Sequence, residues 1–309
     1  PFSKQADPIS TNDTITIGSG DLLVYGGLGS DDITMGTGRH IIGGDQIEIR
    51  TSQYNAALQD NLLLMTSIFP EIDGGDDTIT SGGEKVIAIL GGGDDTATLQ
   101  DGVTDPAKGR AIVIGGRGEM RLVHQMADPG PLLPADEREM PELFEAERLL
   151  DIRSTDSAMT GHNTGGHDTI SLGAGRRVVI GGGGSDTITG DDGRSIVAGD
   201  EADLLLKPSE DDFILSTFWS EGYESNAAPI TGGNDTITLG TGDASVIGGM
   251  GDDAIIAGLG TTDPVGWIYT IIGDRGAITP TAGASGDGPA DSILRKSILE
   301  SRDQMNFVG

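Results

Sequence analysis

The stretch that decides the fold is residues 167–200, which read HDTISLGAG, RRVVIGGGG, SDTITGDDG and RSIVAGD when written in rows of nine. The same register returns in residues 12–45, 76–102 and 234–260. Each row alternates aliphatic with other residues over a short run and then enters a glycine-rich turn. Alternation places successive side chains on opposite faces of a strand, and glycine adopts the positive φ that tight turns need. The repeat therefore predicts an all-β parallel solenoid, a β-roll or β-helix, with two rows per coil and coils about 4.8 Å apart.

One aliphatic residue per strand is expected to point into this solenoid. A core of that kind is thin, so we expect another contribution to hold the coils together. The predicted inward residues are Ile15, Val24, Ile33, Ile42, Ile79, Ala88, Ala97, Val113, Ile170, Val179, Ile188, Val197, Ile237, Val246 and Ile255.

The composition excludes several classes of function. The 309 residues include 51 Gly and no Cys, and 19 basic against 49 acidic residues give a net charge of −30. Without Cys there is no disulfide framework, thiolate metal cluster or cysteine nucleophile. An acidic surface repels phosphate backbones and anionic lipid, and no apolar run is long enough to span a bilayer. We therefore expect no nucleic-acid partner and no membrane insertion.

Alternate rows carry Asp as their second residue. Within each block the two Asp are 18 residues apart, which is one coil, so they should lie on the same edge of the solenoid. Carboxylates in coil-spaced pairs repel one another unless a cation lies between them. This favours a metal site over the simple preference of Asp for turns. The candidate ligands are Asp13, Asp31, Asp77, Asp95, Asp168, Asp186, Asp235 and Asp253.

The intervening rows carry other residues at this second position. We therefore expect no acidic ladder on the opposite edge, and metal along one edge only. The residues at those positions are Leu22, His40, Val86, Arg177, Ser195 and Ala244.

The pattern Gly-Gly-x-Gly-x-Asp-x-aliphatic-x resembles the nonapeptide of the repeats-in-toxin (RTX) family, whose β-roll binds calcium between stacked turns. The clearest copies start at Gly26, Gly181 and Gly248, and the resemblance covers roughly half of the chain. It implies on the order of eight Ca²⁺ ions, each held by Asp carboxylates and backbone carbonyls because Ca²⁺ prefers six to eight oxygen ligands. The family has Asp at both edges, and this chain departs from it there. The turn glycines implied as ligands are Gly26, Gly27, Gly29, Gly181, Gly182, Gly184, Gly248, Gly249 and Gly251.

A second group of acidic residues stands where blocks end in Gly-Asp. These residues are Asp45, Asp200 and Asp274, and Gly116 takes the equivalent place in the second block. They either close a third turn on the same edge as further ligands or serve as ordinary turn residues. The sequence leaves both interpretations open.

Longer segments separate the repeat blocks within one continuous solenoid. Residues 142–152 are predicted to form a helix, because Pro141 suits the first helical position and Glu142 and Glu145 suit its positive end. Residues 58–69 and 211–219 are apolar and fit either a strand or a helix. We expect the segments to pack on the solenoid flank, or alternatively to form lateral contacts between chains. The blocks are residues 1–45, 76–118, 165–200 and 232–274, and the inserts are 46–75, 119–164, 201–231 and 275–309.

No catalytic constellation stands out, so we expect no enzyme. The four His are His40, His124, His162 and His167. His162 and His167 are five residues apart, but we do not expect them to bind zinc as a pair, because His167 fills a turn position taken by Asn or Asp elsewhere. There is no Gly-x-Ser-x-Gly elbow, no HExxH and no Walker lysine after the glycine runs. The basic residues are scattered along the sequence.

The RTX resemblance implies a calcium-binding structural segment of a large bacterial extracellular protein, such as an adhesin, a surface-layer protein or an extracellular filament component. Its expected location is outside the cell, because extracellular modules bind Ca²⁺ at about 10⁻⁴–10⁻³ M. The absence of an initiator Met leads us to expect a piece of a longer array. The expected partners are calcium and identical chains.

Two alternatives belong to other classes of protein. One is the carboxy-terminal RTX part of a secreted enzyme. The other is a ligand-binding module for ice, polysaccharide or another surface ligand. It would bind through outward threonines. Threonine is also common on exposed strand faces simply because of its β propensity. These are Thr14, Thr16, Thr78, Thr80, Thr96, Thr98, Thr187, Thr189, Thr236 and Thr238.

Overall fold

A computed structural model describes residues 11–55, 60–68, 74–100, 102–105, 107–125, 148–155, 165–207, 214–220, 232–259, 269–274, 276–281, 292–297 and 304–307. All regular elements in these ranges are β-strands, and they form three sheets. The all-β prediction is confirmed. Strands are numbered below in chain order.

The first roll sheet is parallel and has nine strands. The strands stack in register, so that Ile15 pairs with Ile33 and Ile33 with Ile79. The strands are β1 (Thr14–Ile17), β3 (Asp32–Met35), β7 (Thr78–Ser81), β9 (Thr96–Leu99), β13 (Thr169–Leu172), β15 (Thr187–Gly190), β19 (Thr236–Gly240), β21 (Ala254–Leu259) and β25 (Gln304–Phe307).

The second roll sheet is also parallel and has eight strands. Through the repeat blocks the chain passes back and forth between the two roll sheets, so each pair of strands forms one coil of the predicted β-solenoid. The strands are β2 (Leu22–Tyr25), β4 (Arg39–Gly43), β8 (Lys85–Ile89), β10 (Arg110–Ile114), β14 (Arg176–Ile180), β16 (Ser195–Ala198), β20 (Ala244–Gly249) and β22 (Tyr269–Asp274).

The inserts form a third sheet of eight strands, here called the hairpin sheet. Each insert contributes two antiparallel strands, and neighbouring inserts pair with each other along the solenoid. The strands are β5 (Ile47–Asn55), β6 (Asp60–Ser67), β11 (Gly118–Gln125), β12 (Arg148–Ser154), β17 (Ala202–Lys207), β18 (Ile214–Ser220), β23 (Gly276–Thr281) and β24 (Ser292–Ser297).

The predicted helix over residues 142–152 is wrong in its second half. Arg148–Ser154 is strand β12, which pairs with β11 on one side and β17 on the other. Residues 142–147 lie outside the described residues. The helix signals were local, whereas two neighbouring strands and the burial of Ile152 act on the folded chain and override local propensity. The two ambiguous apolar segments supply strands β6 and β18.

The first hydrophobic core lies between the two roll sheets. The predicted inward residues from Val24 to Ile255 are all buried in it, and Ile15 is half-buried against it. Strands of the first roll sheet add a second inward residue, such as Leu99, Leu172 or Leu239. The interior of the roll is therefore better filled than one aliphatic residue per strand would make it.

A second core lies between the second roll sheet and the hairpin sheet. On the roll side it contains Ile112, Ile114 and Ile180, and on the insert side Met120 and Phe218. Strands buried on both faces become continuous apolar runs, as in residues 111–114. The expectation that the inserts pack on the flank is confirmed, and the expectation of a thin core is wrong.

Candidate metal-binding edge

The candidate ligands lie where the chain passes from the second roll sheet to the first. The turn Gly26–Asp31, for example, connects β2 to β3 and ends directly before the strand. We call this side of the solenoid the Asp edge and its eight predicted Asp the Asp column. Because the strands that follow are in register, these residues stack one above another.

Hydrogen bonds join the Asp column into one ladder. From Asp31 onward, the Oδ1 atom of each Asp accepts a bond from the backbone N–H of the Asp one coil earlier, beginning with Asp13 N to Asp31 Oδ1 at 2.7 Å. The ladder crosses the inserts, since Asp31 N donates to Asp77 Oδ1 at 2.8 Å and Asp95 N to Asp168 Oδ1 at 2.9 Å. It continues to Asp253 Oδ1, at 2.9 Å from Asp235 N. Four coil-spaced pairs in the sequence are thus one uninterrupted column in the fold.

The second carboxylate oxygens of the column are buried from Asp31 to Asp253, whereas Asp13 at its start is exposed. The Oδ2 atoms of Asp31, Asp77, Asp95 and Asp235 have no hydrogen-bond partner among the described residues, and these side chains are at most 2% exposed. Buried polar atoms normally have a partner, and a charged group buried without one is costly. These oxygens therefore call for a cation or a proton.

Backbone carbonyls converge on the same oxygens because the first turn residue lacks a side chain. A Cβ on Gly26 would collide with Asp31 Oδ2 and also with the carbonyl oxygen of Gly44, one coil on. The same pair of obstacles, an Asp Oδ2 and a carbonyl of the next coil, is found at Gly44, Gly115, Gly181, Gly199 and Gly248.

The other predicted glycines shape the same turns. Gly182 and Gly184 have φ of 117° and 113°, a conformation that residues with a Cβ rarely adopt. A Cβ on Gly29, Gly184 or Gly251 would also collide with a carbonyl of the preceding coil. The turns can therefore stack closely only with glycine at these positions.

The electrostatics of the Asp column favour uptake of positive charge. Burial raises the pKa of Asp77 to about 8, and the charges of Asp45 and Asp31 add to this effect. Burial also raises the pKa of Asp31, and burial together with neighbouring carboxylates raises the pKa of Asp95 and Asp235 well above the usual range. A divalent cation beside the Oδ2 atoms would reverse these shifts by stabilising the ionised form.

The second acidic group lies where inserts leave the Asp edge. Asp45 Oδ2 accepts the backbone N–H of Gly92 at 2.8 Å, and its buried Oδ1 has no hydrogen-bond partner among the described residues. Asp200 accepts the N–H of Gly233 at 3.0 Å and that of Met250. Asp200 thus ties the start of its insert to the insert's return and to the next coil. Asp274 is also buried. That these three residues bind metal remains a prediction.

The opposite edge closes on side chains of the chain itself. The guanidinium of Arg177 is 1% exposed and donates from Nη2 to the carbonyls of Gly175, at 3.2 Å, and Asp192, at 3.1 Å. Burial lowers its pKa to about 10, so it stays charged at neutral pH. The Gln100 amide donates to the Glu84 carbonyl at 3.0 Å.

His40 is a further buried polar residue of the opposite edge, at an earlier coil. It is buried, lies 2.7 Å from the Ser81 hydroxyl through Nδ1, and burial lowers its pKa. The sequence analysis distinguished the opposite edge only by its lack of Asp at the second position of the rows. The available signal was a large polar residue at a position that faces inward in the rows of nine.

One acidic residue escaped the sequence reasoning. Asp303 directly precedes β25 as Asp253 precedes β21, and those two strands pair in register. Asp303 itself lies outside the described residues. A search for Asp two residues before an apolar residue would have found it, since Met305 follows and pairs in register with Ile255.

Within the described ranges no three His, Cys, Asp or Glu side chains are grouped so as to hold a metal. A cation at the Asp edge would therefore need carbonyl oxygens beside the carboxylates. The described part of the chain also contains no helix suited to crossing a membrane. No family model, curated protein or solved structure matches the chain. Fold and edge together define a β-solenoid with one continuous aspartate column and a covering hairpin sheet.

Proposed function

We propose that the chain is a calcium-binding structural segment of a large bacterial extracellular protein, of the adhesin, surface-layer or filament kind, and that it folds on Ca²⁺ binding. The observation that carries this proposal is the column of buried Oδ2 atoms, six of which lie near a backbone carbonyl of the next coil. Hard oxygen donors of this kind, without nitrogen or sulfur, suit Ca²⁺.

The Asp column would hold the ions together with carbonyls of the glycine turns, such as those of Gly44, Gly181 and Gly248. Bound calcium would supply positive charge and bridge successive coils. About eight ions would add +16 to the net charge of −30 and leave −14. Because the site exists only in stacked coils, binding free energy contributes directly to folding.

Circular dichroism of the metal-free chain tests this proposal. In chelator the β-strand signal should fall, and millimolar Ca²⁺ should restore it. An equal concentration of Mg²⁺ should not, because Mg²⁺ requires a tighter octahedral shell and retains water. An identical strand signal in chelator and in calcium would contradict the proposal.

The extracellular location follows from the same chemistry. Sites with an affinity of about 10⁻⁴–10⁻³ M are filled outside cells and empty in the cytosol. Fractionation of the producing cells, with detection of the folded chain by antibody, tests this. A folded chain found mainly in the cytosol would contradict it.

A second candidate function is ligand binding by the outer face of the first roll sheet. The register aligns outward side chains, mostly hydroxyls, in two ranks. From β1 to β19, Asp32 is the one charged residue in these ranks. A nearly uncharged face on so acidic a chain suits ice or a neutral polysaccharide. Thermal hysteresis and glycan-array binding test it, with Thr80→Lys as the disrupted variant. The ranks are Thr16, Thr34, Thr80, Thr98, Ser171, Thr189 and Thr238, and Thr14, Asp32, Thr78, Thr96, Thr169, Thr187 and Thr236.

A further inference from the structure

The hairpin sheet turns one face to the second core and the other away from it. Met65, Met120, Ile152 and Leu204 stand in register on four neighbouring strands, and all are buried in that core. Successive side chains of a strand alternate between faces, so the residues directly before and after these four lie on the outer hairpin face. They form two rows across β6, β11, β12 and β17. The rows are Thr66, Glu119, Arg153 and Asp203, and Leu64, Arg121, Asp151 and Leu205.

These two rows are nearly neutral, although the chain has a net charge of −30. They contain two arginines and three acidic residues, which oppose one another. Arg121 Nε lies 2.9 Å from Asp151 Oδ1 and 3.5 Å from Glu119 Oε1. Arg153 Nη2 lies 3.3 Å from Glu119 Oε2. Two copies of so acidic a chain repel each other, and this repulsion is weak where the charges of a face are compensated. The outer hairpin face therefore allows a second copy to approach.

Two leucines stand at the ends of one row, with Arg121 and Asp151 between them. Leu205 is 43% exposed and is one of the two large apolar side chains that are exposed in the described ranges. A single exposed leucine is ordinary on a protein surface. Its position is informative here, because Leu64, which is half-buried, occupies the matching place at the other end of the row.

The order of residues in both rows is complementary to itself about a two-fold axis. An axis that runs between β11 and β12, parallel to the strands, would place β11 of one copy over β12 of the other and β6 over β17. Arg121 would then meet Asp151 of the second copy, and Glu119 would meet its Arg153.

The same axis would bring Leu64 of one copy to Leu205 of the other, and Thr66 to Asp203. Every contact occurs twice, as an interface between two identical faces requires. No directly opposed pair in the two rows has like charges. Complementary charge of this kind selects a partner and fixes its orientation.

The hairpin sheet is large enough for such an interface. Its eight strands extend roughly 34 Å across the sheet, and a strand of six residues such as β17 is about 20 Å long. One face therefore offers roughly 700 Å² per copy, close to the roughly 800 Å² that each partner contributes to a standard interface. Sheets that pack face to face also keep their strands within about 30° of each other, which agrees with an axis parallel to the strands.

We propose that the chain forms a two-fold symmetric homodimer through its outer hairpin face. The dimer would leave the Asp edge of both copies accessible. It would also direct the outer faces of the two first roll sheets away from each other, because in each copy the second roll sheet and the hairpin sheet lie between that face and the axis. The interface requires a folded chain but no calcium ion of its own, so this proposal does not rest on the calcium sites.

Analytical ultracentrifugation in millimolar calcium tests this proposal, with each sample first shown by circular dichroism to be folded. The parent should be largely dimeric at about 100 μM. Arg121→Glu and Asp151→Arg each place like charges opposite one another at two symmetric contacts. Each should raise the dissociation constant of the dimer by about a hundredfold or more. Arg176→Glu makes the same change of charge on the second roll sheet and should leave the dissociation constant within about twofold of the parent value.

Mixing the two single variants separates a lost interface from a damaged fold. An equimolar mixture of the Arg121→Glu chain and the Asp151→Arg chain should form a mixed dimer, because every opposed pair across the axis again has opposite charges. The double variant Arg121→Glu/Asp151→Arg should dimerise with itself for the same reason. A monomeric parent, which would leave this face to solvent or to a different partner, would overturn the proposal. Assemblies larger than a dimer, single variants that dimerise as strongly as the parent, or a mixture as monomeric as its components would also overturn it.

Discussion

At the scale of single residues, the Asp column is unusual because the two oxygens of one carboxylate face different partners. Oδ1 is committed to a backbone N–H of the preceding coil, as in the 2.8 Å bond from Asp31 N to Asp77 Oδ1. Oδ2 is buried beside a carbonyl. The bond to the first oxygen fixes the position of the second, which is where the proposed ion would bind.

Asp77→Asn should act in opposite directions with and without calcium. The amide oxygen can still accept the bond from Asp31, but the ion loses a charged ligand, so calcium affinity should fall by about tenfold. In chelator the variant should be as stable as the parent or more so, because a buried carboxylate is gone. Calcium titration followed by dichroism measures both. Ser195→Ala on the opposite edge is the control, and an equal loss of affinity there would contradict the assignment.

Arg177 makes a separate prediction about the opposite edge. Arg177→Ala should remove the side-chain donor to the Gly175 carbonyl and one of two donors to the Asp192 carbonyl, and open a cavity, at a cost of about 3 kcal/mol in the free energy of unfolding. The loss should be the same in saturating calcium, since the proposed calcium sites lie on the Asp edge. Arg176→Ala, at the exposed neighbouring residue, should change stability by about 0.5 kcal/mol or less. Urea unfolding distinguishes these results, and equal effects would contradict the role given to Arg177.

At the scale of elements, the hairpin sheet covers the second roll sheet and adds a second hydrophobic core. Phe218 on β18 is fully buried in that interface, whereas Leu205 on the paired strand β17 is 43% exposed. Phe218→Ala should reduce the free energy of unfolding by about 3–5 kcal/mol, and Leu205→Ala by less than about 1 kcal/mol. Thermal or urea unfolding in calcium measures the difference. Similar small effects would mean that the hairpin sheet contributes little.

The sequence predicts the roll well because its signals are local and periodic. The alternation in Thr78–Ser81, the turn glycines and the coil spacing of Asp168 and Asp186 fix strand, face and edge together. The hairpin sheet was beyond such reasoning, because β12 pairs with β17 of the next insert as well as with β11 of its own, and its own sequence suggested a helix.

The arrangement of the opposite edge was missed for a related reason. Arg110 and Arg176 are 66 residues apart in the sequence, yet the register makes them neighbours. Only the lengths of the inserts, and not any local pattern, decide which distant residues stack. The closure of a turn by Arg177 likewise depends on the carbonyl of Asp192, a coil away.

At the scale of the whole molecule, the raised pKa values predict a pH dependence that calcium reverses. The pKa of Asp77 rises from its ordinary 3.8 to about 8 in the folded chain. Below pH 3.8 the carboxyl is protonated in both states and imposes no penalty, and its contribution to stability is lost as pH rises to about 8. The metal-free chain should therefore be better folded at pH 4 than at pH 8.

In calcium the trend should be opposite, because protons compete with the ion for the same oxygens. Thermal unfolding of dialysed metal-free protein and of calcium-loaded protein at pH 4, 6 and 8 compares the two. A metal-free chain that gains stability steadily from pH 4 to pH 8 would contradict the account of the buried carboxylates.

The central claim is that calcium occupies one edge of the solenoid and not the other. A crystal structure of the calcium-loaded chain, with anomalous diffraction collected to locate the ions, tests it most directly. The account predicts a single row of calcium peaks along the Asp edge, each about 2.3–2.6 Å from an Oδ2 atom and from backbone carbonyls. It also predicts that the Arg177 guanidinium keeps its carbonyl partners on the other edge. Calcium on both edges, or none on the Asp edge, would contradict it.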